Sequence, residues 1–197
     1  VTSDDAYIIE TFGYHLSHLI GEAGTHDVVM NGKWAEEPAV LKAAQDFEDM
    51  AKKGFFSSTI ASSVWPTNQN GELALGEAAM YLNGSWLPNE VKAMTGPDFV
   101  WGCFGYPAVE GGVNGPEAAN YGAQVFAINK DSKVAEAAFE LIEYITKGEY
   151  DQKLSQESIG IPADTANTEW PEMLAGVQPV MNSLTTRYSW GAGIEDN

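Results

Sequence analysis

The stretch "GEAAMYLNGSW" (76–86) changes character halfway along its length. It opens polar, runs through the apolar-leaning Ala78 to Leu82, and stops at Asn83-Gly84-Ser85 before placing a tryptophan, Trp86, directly after the turn. The simplest local reading is a strand over 78–83, a tight turn at Gly84, and a helix capped by Ser85 with Trp86 in its first turn. Pro88, two residues on, suits the start of a helix running through "NEVKAM" (89–94). Where a strand of an open α/β sheet hands over to a helix, unpaired backbone N–H groups face outward and ligands bind. An indole there offers a flat apolar face beside polar donors, which is what a saccharide needs: C–H groups stack on the ring and hydroxyls find partners. Equally, Trp86 packs beneath the helix; the residues alone leave both placements open.

Working outward, "DDAYIIETFGYHLSHLIGEAG" (4–24) carries apolar residues at Tyr7, Ile8, Phe12, Leu16 and Leu19, close to helical spacing, with Gly21 and Gly24 closing it. "VVMNGKW" (28–34) reads as a hairpin around Asn31-Gly32. The next helix is marked at both ends: Glu36, Glu37 and Pro38 open it, and Lys52, Lys53 and Gly54 close it. A short helix around Glu72 to Gly76 precedes the central stretch. "FVWGCFGYP" (99–107) and "AQVFAIN" (123–129) read as buried strands, with Cys103 a small buried hydrophobe. Residues 131–158 read as helical with a break at Gly148. "GIP" (160–162) reads as extended, and a last helix opens at Pro171 and is interrupted by Gly176 and Pro179. Strands alternating with helices imply an α/β fold.

The totals exclude several functions. With 10 Lys+Arg against 28 Asp+Glu the formal charge is -18, which argues against nucleic acid or an anionic membrane as partner. It fits a neutral or cationic ligand. No apolar run is long enough to span a membrane, and the first ten residues lack the basic start and apolar core of a signal peptide. Nucleophile elbow, P-loop, dinucleotide fingerprint and H-E-x-x-H are all missing. His15 and His18, with His26 as the only further imidazole, form an incomplete metal set whose ordinary role is packing. The carboxylate pairs Glu36/Glu37 and Glu140/Glu143 read as a helix start and a solvated helix face rather than as a glycosidase pair. Asn83-Gly84-Ser85 also matches a glycosylation sequon, though turn and cap explain it more simply. No cofactor or metal is expected.

Five motifs in order carry a resemblance: "NGKW" (31–34), "LGEAAMYLNGSW" (75–86), a strand ending in proline (99–107), "YGAQVFAINKDSKVAEAAFELIEYIT" (121–146) and "GIPA" (160–163). Over residues 28–165 the chain resembles the extracellular solute-binding proteins of bacterial ABC importers, in the sugar-binding subgroup that includes maltodextrin-binding protein. That resemblance implies a periplasmic-binding-protein-like (type II) lobe with helices flanking a mixed sheet. It also implies a non-enzymatic role in sugar import and a location outside the cell, periplasmic or lipoprotein-anchored. Residues 1–120 and 166–197 would belong to the second lobe, and 121–165 would be a segment that docks on a first lobe largely missing here. The chain is therefore expected to be part of a longer protein, with an ABC permease as partner and dimerisation of the fragment as one way to cover its apolar face. The family segment brings an aromatic to the sugar, which implies Trp86 as the stacking residue with Gly84 and Ser85 beside it. Tyr121, Gly122 and Gln124 lie in a turn implied to be near the ligand. Trp65 in its polar loop is a further aromatic of the cleft, and Trp190 with Tyr188 either supplies another platform or only packs. The competing readings are a carbohydrate-active enzyme fragment, a binding protein for a peptide, polyamine or metal, and an interaction domain with no ligand.

Overall fold

The computed structural model describes residues 7–96 and 98–188, with side chains from residue 11 onward. Two compact units are present. The first comprises Val1–Leu82, Phe104–Gly122 and Ser183–Asn197, and the second Asn83–Cys103 and Ala123–Asn182. The fold is mixed α/β and helix-rich. No helix among the described residues is long and apolar enough to cross a membrane.

In the first unit, α1 (Tyr7–Met30) is broken at Gly21, whose φ of 77 and ψ of 170 only glycine adopts readily. The sequence places the end of the helix here, and a helix does end, but a second one starts at once and occupies the ground expected for the first strand of a hairpin. Asn31-Gly32 then leads into a 3-10 turn (Lys33–Ala35), not a hairpin. The dipeptide supplies the left-handed glycine (φ 65) that a hairpin also needs, so local sequence could not separate the two. Breaking α1 frees the carbonyls of Ser17 and His18. A loop from later in the chain takes them: Val113 and Asn114 N–H donate to the His18 carbonyl at 3.0 and 3.1 Å, and the Asn114 side chain donates to Ser17 at 2.9 Å. Across the break, Ser17 Oγ donates to Thr25 Oγ1, which donates to the Gly21 carbonyl.

Helix α2 (Pro38–Lys52) forms as its end signals predict. Glu37 accepts from Ala39 N–H at 3.1 Å, Pro38 opens the helix, and Gly54 follows it at φ 71. The two helices enclose the apolar core of this unit, Leu16, Leu19, Val28 and Ala43, with Phe12, Ile20, Val40 and Val109 packed against it. Beside it lies a polar and aromatic layer. His15 contacts Tyr106 Oη (2.8 Å) through Nδ1 and Asp46 (3.0 Å) through Nε2, while His18 Nδ1 meets the Tyr14 carbonyl and Tyr188 Oη. Helix α3 (Thr67–Ala74) starts earlier than the sequence suggests.

The sheet among the described residues is a parallel pair, β1 (Ala118–Asn120) and β2 (Thr186–Tyr188), with Ala119 opposite Arg187. A mixed sheet was expected. The segments 78–83, 99–107 and 123–129 do not join a ladder, and their apolar side chains stay exposed, Val100 at 90% and Val125 at 82%. Cys103, expected to be buried, is exposed for the same reason. An apolar run becomes a strand only when a neighbouring strand pairs its backbone.

The second unit holds α4 (Leu87–Thr95), α5 (Ala135–Ile145), α6 (Gly148–Ser158), a 3-10 turn (Glu172–Leu174) and α7 (Val177–Ser183). Gly148 (φ 60) separates α5 from α6, as its position predicts. The buried Asp151 of α6 organises the following loop by accepting from Ala163 N–H, Asp164 N–H and the Asn167 amide. Helix α5 buries none of its residues.

Two outcomes follow. Gly21→Ala forces a side chain into φ 77, ψ 170 and is expected to cost about 1–3 kcal/mol, read as a lowered urea midpoint with unchanged slope. His18 is fully buried, and burial, the largest cause, pushes its pKa below the ordinary 6.5 against an opposing hydrogen bond to the Tyr14 carbonyl. A depressed histidine leaves stability complete above its unfolded pKa and loses it as pH falls. The urea midpoint is therefore expected to be level above about pH 7 and to drop between about pH 6.5 and pH 5, a step that His18→Asn removes. The carboxylates held low, Asp27, Asp46, Glu117 and Asp164, add their losses only below their ordinary 3.8 to 4.5.

Candidate functional site

Asn83 to Trp86 form a compact turn in the second unit. The Asn83 side chain accepts from Gly84 N–H at 2.7 Å, and Leu87 N–H donates to the Gly84 carbonyl at 3.1 Å. Trp86 is the N-cap of α4, and its indole folds back over Gly84 so closely that any side chain at 84 would collide with the ring. The ring is half-buried, neither sunk in the interior nor fully in solvent. Behind it, Leu87 and Val91 anchor α4 from the buried side.

Two details differ from the sequence reading. Ser85 lies in the turn and does not cap the helix, which has no side-chain cap; placing Trp86 at the N-cap shifts the helix start one residue on. The first helical amides are also taken or missing: Leu87 donates to Gly84, Pro88 has no N–H, and Asn89 and Glu90 donate to the Trp86 carbonyl.

The remaining expected residues divide between the units. Gln124 is an exposed residue of the second unit. Tyr121 and Gly122 belong to the first unit and follow β1 directly, with Tyr121 N–H donating to the Tyr188 carbonyl at 3.0 Å. They therefore sit at the carboxyl end of a parallel strand pair. Tyr121 is 47% exposed, and a side chain built at Gly122 would meet nothing within 4 Å. Trp65, also in the first unit, is half-buried just ahead of α3. Trp190 lies outside the described residues. Tyr188 proves to be a packing residue: it is 3% exposed, its ring lies against Tyr14 and His18, and burial raises its hydroxyl pKa.

His15 and His18 are occupied by Tyr106, Asp46, Tyr14 and Tyr188, and His26 is exposed. Among the described residues no group of three or more histidine, cysteine or acidic side chains is placed to hold a metal. Glu143 is paired with Lys147 at 2.6 Å, and Glu37 is spent on capping α2.

One residue that the sequence reading passed over lies beside Tyr121. Arg187, the single arginine of the chain, holds its guanidinium carbon over the Tyr121 ring, 5.4 Å from the centroid. Strand alternation explains the placement: Tyr188 points into the core, so Arg187 points out, on the same face as Ala119 and Tyr121. The available signal was its rarity, one arginine among 28 acidic residues.

Comparisons with known proteins agree with this architecture. Residues 4–176 match the family described as bacterial extracellular solute-binding protein. A solved chain from work on xylan utilization by the thermophilic bacterium Caldanaerobius polysaccharolyticus superposes with a TM-score of 0.64 at 18% identity. The match covers 93% of this chain and 49% of that one, so this chain spans about half the length of the protein it matches. Among curated proteins, none matches. On the extent of the family match, the chain belongs to the bacterial extracellular solute-binding proteins.

Proposed function

We propose that the chain is one lobe of the substrate-binding component of an ABC importer and that its solute is a saccharide. The observation that carries this reading is the Trp86 turn: a half-buried indole, braced over Gly84 and backed by the buried face of α4. Such a ring is held in place before a ligand arrives, so stacking costs little side-chain entropy. Membership of the solute-binding family supports a binding role outside the cell, and the fold likeness to a chain from a study of xylan utilization supports a carbohydrate solute. In the mechanism this implies, two lobes close on the sugar by hinge motion and present the closed form to the membrane permease. The lobe is proposed to be of the type II kind, with residues 121–165 docking on the other lobe. The exposed apolar side chains of α5, Phe139 and Leu141 among them, are what such docking would cover.

Titration calorimetry with a panel of neutral oligosaccharides tests this. Trp86→Ala is expected to weaken binding about tenfold or more while the thermal transition stays close to wild type. Gly84→Ala keeps the indole but displaces it, so it is expected to weaken binding as well and to shift tryptophan emission. Unaltered affinity in both variants would remove Trp86 from the site, and release of smaller sugars during the titration would reveal an enzyme instead.

A further inference from the structure

We infer that Arg187 and Tyr121 form a carboxylate-recognising subsite, and that the saccharide this chain takes carries a uronic acid. The inference rests on the saccharide reading above and narrows it to a substrate class.

Its contact sets Arg187 apart. In a chain of formal charge -18, five of the nine lysines pair with a carboxylate: Lys33 with Asp27, Lys42 with Asp46, Lys52 with Glu48, Lys147 with Glu143 and Lys153 with Glu157. Among the described residues Lys53, Lys92, Lys130, Lys133 and Arg187 do not. The contact of the Arg187 guanidinium is the face of Tyr121.

That contact leaves the chemistry of an anion site intact. A guanidinium held over a ring spends its flat face on the π system and keeps its N–H groups at the edge, where a carboxylate is met by two parallel hydrogen bonds. The ring also shields one side from water and fixes the group's position, which strengthens whatever the edge binds. Lysine, a point charge on a flexible stem, offers neither property.

Placement agrees with the chemistry. Tyr121 follows β1, and Arg187 stands one residue before the end of β2, so both lie at the carboxyl end of the parallel pair, where open α/β sheets bind ligands. The small side chain of Ala119, opposite Arg187, leaves the face low. Gly122 has open space where a side chain would stand, so a sugar ring can approach Tyr121 beside the guanidinium. Tyr121 then serves two groups, the arginine on its face and sugar C–H groups at its exposed part, and the carboxylate at C6 of a uronate lies within the span of one sugar ring. Because the rest of the surface is acidic, long-range steering does not favour an anion. Recognition has to come from this local contact.

The test compares xylotriose with xylotriose bearing one glucuronate, by titration calorimetry on the 197-residue chain. The acidic ligand is expected to bind at least roughly tenfold more tightly than the neutral one. Arg187→Gln abolishes that preference and leaves neutral binding unchanged; Arg187→Lys, which keeps the charge but not the fork, loses most of it. Arg187 is exposed, so both variants keep the wild-type melting transition. Equal affinity for the two ligands in wild type overturns the inference while the saccharide reading stands. A preference that survives Arg187→Gln overturns it too, by placing the recognition elsewhere. Failure of both ligands to bind overturns the saccharide reading and this inference with it.

Discussion

The break in α1 at Gly21 is the constraint from which the first unit is built. A continuous helix would have used the carbonyls of Ser17 and His18 internally; broken, it presents them to the segment 109–115. Unpaired in the interior they would cost about 1–3 kcal/mol each, so the break and the loop stabilise one another. The approach is tight enough that a side chain on Gly112 would stand 2.5 Å from the His18 carbonyl oxygen. From that anchor the chain runs to Glu117, whose carbonyl receives Thr185 and Thr186 N–H and so brings in β2. The register of the strand pair, and with it the positions of Tyr121 and Arg187, descends from one backbone conformation near the start of the chain.

The strand pair is fixed a second time from beneath. Tyr188 reaches down to His18, and Tyr14 Oη accepts from the backbone N–H of Asn120 in β1 at 3.3 Å. Tyr106 completes the layer through His15, and burial pushes its hydroxyl pKa up to about 12. Such a network is specific rather than strongly stabilising, because each member needs its partner in the right protonation state. With His18 neutral, its ring accepts or donates at Nδ1 without bringing a charge into the interior. Protonation puts a cation between Tyr14, Tyr106 and Tyr188 with no carboxylate hydrogen-bonded to it. Acid therefore acts on the layer that supports the proposed anion subsite before it acts on the surface carboxylates.

Helices were legible because their signals are local. Glu37, Pro38 and Gly54 mark α2 within a few residues of its ends, Pro88 places α4, and Gly148 parts α5 from α6. Strands were not, since pairing joins residues far apart in the chain: Ala118 with Thr186 is invisible to any local window. "AAMYLN", "FVWGCFGYP" and "AQVFAIN" have strand composition but no ladder, and Asn31-Gly32 serves a helix-to-helix turn as readily as a hairpin. The same distinction governs the site. Trp86 could be picked out from the eleven residues 76–86 and Tyr121-Gly122 from their motif, but the strand expected before the turn and the Ser85 cap do not form. Arg187 sits in a three-residue strand with no motif of its own, and its meaning depends on a ring 66 positions away that only the folded chain brings to it.

Net charge and local charge point in different directions in this molecule, and the fold explains why both can hold. Four of the lysine–carboxylate pairs are one helical turn apart on α2, α5 and α6, the spacing at which such pairs form regardless of the rest of the fold. These pairs are largely exposed and worth only a few tenths of a kcal/mol each, yet they engage much of the scarce positive charge in local partnerships. Arg187, by contrast, has Thr186 and Tyr188 rather than acids as its neighbours in sequence, on a strand too short to bring a carboxylate opposite it: its partner across the pair is Ala119. A sheet edge that juxtaposes alanine, tyrosine and arginine creates a small positive, aromatic surface inside an acidic protein. The acidic residues are divided between helices and loops, while the proposed anion subsite lies on a strand pair whose own residues, Ala118–Asn120 and Thr186–Tyr188, include no acid.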